Sequence, residues 1–132
     1  MSYYDVIEDI YAQISAGDFK SLFNIVAPDA PWLEAENIPY WPGAPLIGQD
    51  AVEEAVFDRL ANDFAEFHIN VIRILAGETA VLVEGRYVGT TKEGKDIDAI
   101  FAHVWDFDGD KVVRFQQYSD TYQWRRVLGA DA

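Results

Sequence analysis

Apolar residues in the first turns of the chain fall at Ile7, Ile10, Tyr11 and Ile14, the spacing that lays one stripe along a helix. Ser2 followed by Asp5 gives a loose capping box at its start, and Gly17 stops it. Asp18 can cap a second helix, with a stripe of Phe19, Leu22, Phe23 and Val26, ended by Pro28. From Pro28 to Gly48 the periodicity is lost. Pro31, Pro39, Pro42 and Pro45 are interleaved there with Trp32, Tyr40 and Trp41. A proline-stiffened segment with three large aromatics is too apolar for a solvated loop, so it is expected to lie across the mouth or flank of the core. Gly48 then releases a third helix, in which Asp50 and Glu53 form a capping pair and Val52, Val56, Leu60 and Phe64 recur every four residues.

The remainder alternates with a period of two. Runs at about 66 to 76, 78 to 91, 95 to 107 and 111 to 120 are rich in β-branched and aromatic residues. Turn signals separate them at Ala76-Gly77-Glu78, Lys92-Glu93-Gly94 and Asp108-Gly109-Asp110. Helices followed by antiparallel strands, with no linker, repeat or low-complexity stretch between them, predict one α+β domain over 1–132 with helices on one face of a sheet.

Turn length sets register, and register sets which side chains share a face. A three-residue loop at Lys92-Glu93-Gly94 pairs Thr91 with Lys95, and hence Val83 with His103, Gly85 with Phe101 and Tyr87 with Ala99. A four-residue loop from Asp108 to Lys111 pairs His103 with Gln116, Phe101 with Tyr118 and Ala99 with Asp120. One face then carries Val81, Val83, Tyr87, Ile97, Phe101, His103, Trp105, Tyr118 and Asp120. The other carries Leu82, Glu84, Arg86, Ile100, Val104, Phe115, Gln117 and Ser119, a mixed surface suited to solvent or a partner subunit. A three-residue second turn would instead separate Asp120 from His103.

Half of the 132 residues are hydrophobic, which excludes global disorder. Zero cysteines exclude a disulfide scaffold, a thiol nucleophile and a thiolate metal site, and two histidines, His68 and His103, leave little for an imidazole centre. No metal and no cofactor is expected. Ten basic against 23 acidic residues give a formal charge of −13, which repels nucleic acid and anionic membranes. The acidity reads as a solubility feature or as an electrostatic one. The opening MSYYDVIEDIY has neither a basic n-region nor a long apolar run, so the expected location is cytoplasmic. The fingerprints of nucleotide loops, hydrolase elbows and zincins do not occur.

The run IPYWPGAPLIGQDAVEEAVF, the strand FAHVWDFDGDKVVRFQQYSDT, and the closing pattern Gly109, Lys111, Val112, Arg114, Tyr118, Asp120 resemble the SnoaL-like, ketosteroid-isomerase-related branch of the nuclear-transport-factor-2-like superfamily. The resemblance implies a cone: a curved antiparallel sheet wrapped around three N-terminal helices, enclosing a hydrophobic cavity. It also implies a homodimer through the outer sheet face, and either a cofactor-independent cyclase or isomerase acting on a small hydrophobic carbonyl compound or a non-catalytic ligand-binding or interaction module. Asp120 matches the position of an acid/base aspartate in the family's polyketide cyclases; its other reading is a strand end or the cap of a tail helix over residues 121–126. His103 is either a satisfied core histidine or the polariser of a ligand oxygen, held by register roughly 13 Å along the sheet from Asp120. Tyr87 could donate to a developing enolate. Trp32, Tyr40 and Trp41 read as an aromatic lid or as core packing. Phe101, Trp105, Tyr118 and Gln116 complete the expected ligand-binding set.

Overall fold

A computed structural model describes residues 2–129, so position 1 and positions 130–132 of the domain expected over 1–132 lie outside the described residues. Helix α1 (Tyr3–Ser15) forms where the stripe predicts it, with the Ser2 Oγ accepting from the Asp5 N–H at 3.1 Å and with Ile7, Ile10 and Tyr11 buried. The second expected helix shrinks to one 3-10 turn, Ser21–Asn24. Asp18 still caps it, accepting from the N–H groups of Lys20 and Ser21. Its β-branched continuation is drawn away: Val112 N–H donates to Ile25 O at 2.7 Å, and Ala27 N–H donates to Val112 O at 2.8 Å, so residues 25–27 join the sheet.

The third helix comprises α2 (Gln49–Val52), a π-turn (Glu53–Phe57) and α3 (Asp58–Asp63). A four-residue repeat drifts off the face of an ordinary α-helix, and the wider π-turn corrects that drift. Val52 and Val56 are buried and Leu60 is half-buried, whereas Phe64, the last residue of the expected stripe, is already extended and is buried as the first residue of the next strand.

The proline-rich segment is not wholly irregular. It contributes two short strands, β1 (Pro31–Leu33) and β2 (Leu46–Ile47), to a single six-stranded sheet that also holds β3 (Phe64–Ala76), β4 (Ala80–Thr91), β5 (Asp96–Asp108) and β6 (Lys111–Ser119). The order is β2-β1-β6-β5-β4-β3. β1 runs parallel to β6, so the sheet is mixed, where a purely antiparallel one was expected. The sheet is curved and unclosed, and extra residues bend it: Ala65 and Ile72 in β3 and Val113 in β6 have no opposite number. Gly85 allows the tightest approach. A Cβ there would stand 2.3 Å from Asn70 O and 2.6 Å from the Phe101 ring.

The β4–β5 register is as the turn predicts, with Val83 opposite His103 and Tyr87 opposite Ala99. The β5–β6 register agrees only next to the turn, where Asp108 faces Lys111 and Phe107 faces Val112. Beyond Val113 it shifts by one, so that His103 faces Gln117 and Trp105 faces Phe115. Phe115 and Gln117 therefore point inward, whereas Gln116 and Tyr118 point outward, reversing the expected faces. Strand β6 ends at Ser119, and Asp120 is the N-cap residue of helix α4 (Thr121–Leu128). That helix closes one end of the core with Trp124, whose Nε1 donates to Ser119 Oγ at 3.1 Å. The outer sheet face carries Ile100, Tyr118 and Leu75, all exposed, among charged residues. No helix among the described residues is long and apolar enough to cross a membrane.

Candidate active site

Between the concave sheet face, α1, the broken third helix and α4 lies an apolar cavity of about 40 Å³. Trp32, Tyr40, Phe67, Trp105, Phe115 and Trp124 supply most of its aromatic wall, and Ile14, Leu22, Val56 and Leu60 close the helical side. Its polar groups are few: Tyr11, Glu34, Tyr87, His103 and Gln117.

His103 stands at the centre of a hydrogen-bonded chain. Its Nδ1 shares a hydrogen bond with the Tyr11 hydroxyl and its Nε2 one with the Tyr87 hydroxyl. Trp105 Nε1 donates to Tyr11 Oη at 3.1 Å, and Gln117 Nε2 donates to Tyr87 Oη at 2.7 Å. Gln117 is itself oriented by the Ala35 N–H, which donates to its Oε1 at 3.2 Å. Burial pushes the imidazole from 6.5 down to about 3 and both phenols upward, so all three groups are neutral near pH 7.

A count of protons then decides what the chain can offer. Two tyrosine hydroxyls and one neutral imidazole hold three protons, and only two bonds join them. One tyrosine O–H is left to donate elsewhere. With His103 protonated on Nε2, Tyr87 accepts from both His103 and Gln117, and its own proton is the unspent one. With the other tautomer the unspent proton is on Tyr11.

Glu34 is the group that sequence reasoning missed. Trp32 and Glu34 lie two residues apart, one at the middle of β1 and one just past its end, so strand alternation sends both inward. The Glu34 side chain is only 4% exposed, and its Oε1 has no protein hydrogen-bond partner; the same is true of the buried Trp32 Nε1. Burial pushes the carboxyl from 4.5 up to about 8, with the neighbouring indole N–H pulling modestly the other way. Its charge, when present, is felt at Tyr87 and Tyr40. The pattern Trp32-x-Glu34 in an apolar segment was the only signal available.

The expected residues separate into three places. Tyr87, His103, Trp32, Tyr40 and Trp105 meet at the cavity. Phe101 lies beneath it, its ring 4.2 Å from that of His103 and 4.5 Å from that of Tyr87. Trp41, Gln116 and Tyr118 line a separate outer groove of about 570 Å³, bordered also by Glu34 and Gln117. The aromatic lid is therefore divided, with Trp32 and Tyr40 buried and Trp41 outside. Asp120 is not among the residues lining the cavity. The β6 bulge and the strand end at Ser119 put it on the α4 cap, partly exposed and away from His103. Among the described residues no group of three or more His, Cys, Asp or Glu side chains is placed to hold a metal ion.

Residues 7–115 match the model of the SnoaL-like domain. The chain belongs to the SnoaL-like family. No curated protein matches it. Among solved structures, this SnoaL-like chain is similar to an NTF2-like protein from Burkholderia thailandensis, with 27% identity over 95% of each chain and a TM-score of 0.88. An NTF2-like protein of unknown function from Burkholderia pseudomallei gives 24% identity, 98% and 99% coverage and a TM-score of 0.86. TerC, co-crystallised with polyporic acid, shares 19% identity over 97% of each chain with a TM-score of 0.81. The last two likenesses carry the fold alone. The SnoaL-like family includes polyketide cyclases and isomerases.

Proposed function

We propose that the protein is a cofactor-independent acid/base enzyme of the cyclase or isomerase type, moving a proton next to the carbonyl of a small hydrophobic molecule. The observation that carries this reading is the Glu34 carboxyl, whose Oε1 is buried without a hydrogen-bond partner in the same apolar cavity as a tyrosine hydroxyl with a proton to spare. A carboxylate whose conjugate acid titrates near 8 is a far better base than an ordinary one, and a base is most useful when its pKa lies near the working pH. Glu34 takes the α-proton. The C–H electron pair becomes the C=C bond, and the carbonyl pair moves onto oxygen, where the Tyr87 O–H receives it. Glu34, which also borders the outer groove, exchanges that proton with water, returns a solvent-derived one to carbon and is again a carboxylate. His103 and Gln117 do not touch the substrate; they position Tyr87. Asp120, outside the cavity, takes no part.

Exchange of α-protons for deuterium in D2O tests this on methyl ketones ranging from acetone to 2-acetylnaphthalene. Wild-type protein is expected to exchange them, with kcat/KM rising to a plateau above about pH 8. Glu34→Gln should lose at least about 100-fold, and Asp120→Asn should change nothing. Equal exchange by wild type and Glu34→Gln would overturn the proposal.

A second reading, a non-catalytic hydrophobic-ligand-binding or dimeric interaction module, is favoured on its interaction side by the small size of the cavity, about 40 Å³. As a partner we propose a second copy of the chain across the outer sheet face, whose exposed Ile100, Tyr118 and Leu75 it would cover.

A further inference from the structure

We propose that the inner cavity is a built site for one water molecule, which accepts from Trp32 Nε1 and the Tyr87 hydroxyl, donates to Glu34 Oε1 and thereby holds His103 in its Nε2–H form. The inference extends the acid/base reading and rests on it only for one consequence: Tyr87, and not Tyr11, is the hydroxyl with a proton to offer a substrate. Three polar groups at the cavity lack a protein partner. Trp32 Nε1 and Glu34 Oε1 are two of them, on residues only 5% and 4% exposed. The third is the tyrosine proton left over by the two bonds to His103. Buried polar groups almost always meet a protein or water partner, and a buried water makes about three hydrogen bonds. One molecule therefore satisfies two donors and one acceptor together. Room is sufficient: about 10–15 Å³ admits a water, and the cavity has about 40 Å³.

The choice of tyrosine follows from what surrounds each hydroxyl. Tyr87 lies on the Glu34 side. Gln117 Nε2 donates to its oxygen at 2.7 Å, the Ala35 N–H next to Glu34 donates to Gln117 Oε1 at 3.2 Å, and the charge of Glu34 is felt at Tyr87. Tyr11 lies across the imidazole, where the other neighbour of its hydroxyl is the Trp105 N–H at 3.1 Å, itself a donor. Left on Tyr11, the extra proton would meet no protein acceptor besides His103; left on Tyr87, it reaches the carboxyl through one water. Glu34 keeps an acceptor oxygen whether or not it is protonated, so the arrangement does not depend on its ionisation.

Histidine 15N labelling with long-range 1H–15N correlation spectra reads which ring nitrogen holds the proton, in a His68→Gln background that leaves His103 as the sole histidine. The expected pattern near pH 7 is a single Nε2–H tautomer. A crystal structure should also place an ordered oxygen within about 3.2 Å of both Trp32 Nε1 and Glu34 Oε1. Glu34→Leu removes the acceptor and should bring in the Nδ1–H form, whereas Glu34→Gln keeps an acceptor oxygen and should keep the wild-type pattern. A proton on Nδ1 beside native Glu34, no ordered oxygen at that position, or a tautomer pattern that Glu34→Leu leaves unchanged or Glu34→Gln abolishes would overturn the water site. The first two readouts keep Glu34 in place and decide the matter even if Glu34→Leu does not fold. Deuterium exchange separates this from the parent reading. An Nε2–H tautomer and an ordered oxygen without exchange leave the water site standing and remove the chemistry. Exchange without that oxygen does the reverse.

Discussion

Replacing Glu34 by Gln keeps the shape of the side chain and removes its titration, so the pH dependence of stability isolates what burial does to this carboxyl. In the folded chain Glu34 holds its proton up to about pH 8, and in the unfolded chain only to 4.5. Between those values the folded state binds more protons, so its stability falls as pH rises, by about 1.4 kcal/mol per pH unit and about 5 kcal/mol in all. His103 acts in the opposite sense. Depressed from 6.5 to about 3, it contributes stability that is fully present above 6.5 and is lost as pH falls toward 3. The two contributions cancel between 4.5 and 6.5. From 6.5 to 8 Glu34 acts alone, and the pair costs the wild type about 2 kcal/mol over that interval. Urea unfolding followed by tryptophan fluorescence, at half-unit steps from pH 4 to 9 on both proteins, gives a difference profile from which every shared group cancels. That profile is expected to climb in favour of Glu34→Gln from about 4.5 to 8 and then level. A flat difference would mean that Glu34 ionises in the fold as it does in water, and the buried base would be refuted.

Removing the Tyr87 hydroxyl in Tyr87→Phe leaves Gln117 Nε2 and His103 Nε2 without a partner. The expected loss is about 2–4 kcal/mol in urea denaturation, together with loss of deuterium exchange at a pH where the variant remains folded. Gly85→Ala puts a Cβ against the Asn70 carbonyl and the Phe101 ring and should destabilise by about 1–3 kcal/mol; an unchanged urea midpoint would show that β4 has room to move. Light scattering at micromolar concentration is expected to give twice the 14.9 kDa of one chain, and a stable monomer would count against the outer-face partner.

Much of the architecture is legible in the sequence because several local signals agree. The Lys92-Glu93-Gly94 loop predicts the β4–β5 pairing correctly since Gly94 takes a positive φ of 87° and Thr91 N–H donates to Lys95 O at 2.8 Å. Register propagates from there without a break through Tyr87 and His103, two of the five expected site residues that meet at the cavity. The second hairpin fails one step beyond its turn. Its expected register sent Arg114 and Gln116 inward and Phe115 outward, a pattern that conflicts with burial. Val112 and Phe115 can both face the core only if the strand holds an extra residue, and Val113 is that residue. The second helix was lost to competition of another kind, since Ile25 and Val26 are β-branched and a free strand edge lay within reach. Glu34 was hidden because a carboxylate in a loop is ordinarily solvated, and only three-dimensional closure by β6 and α4 takes water from it.

The unmatched Val113 has a consequence for comparing this chain with its relatives. A homologue one residue shorter in this stretch would show the interior its even-numbered rather than its odd-numbered positions from there to the strand end. Side chains that occupy the same column of a gapless alignment would then lie on opposite surfaces, and a catalytic aspartate transferred by column would land in the wrong place. Correspondence across this hairpin has to be drawn from spatial superposition, counting backwards from the closing helix.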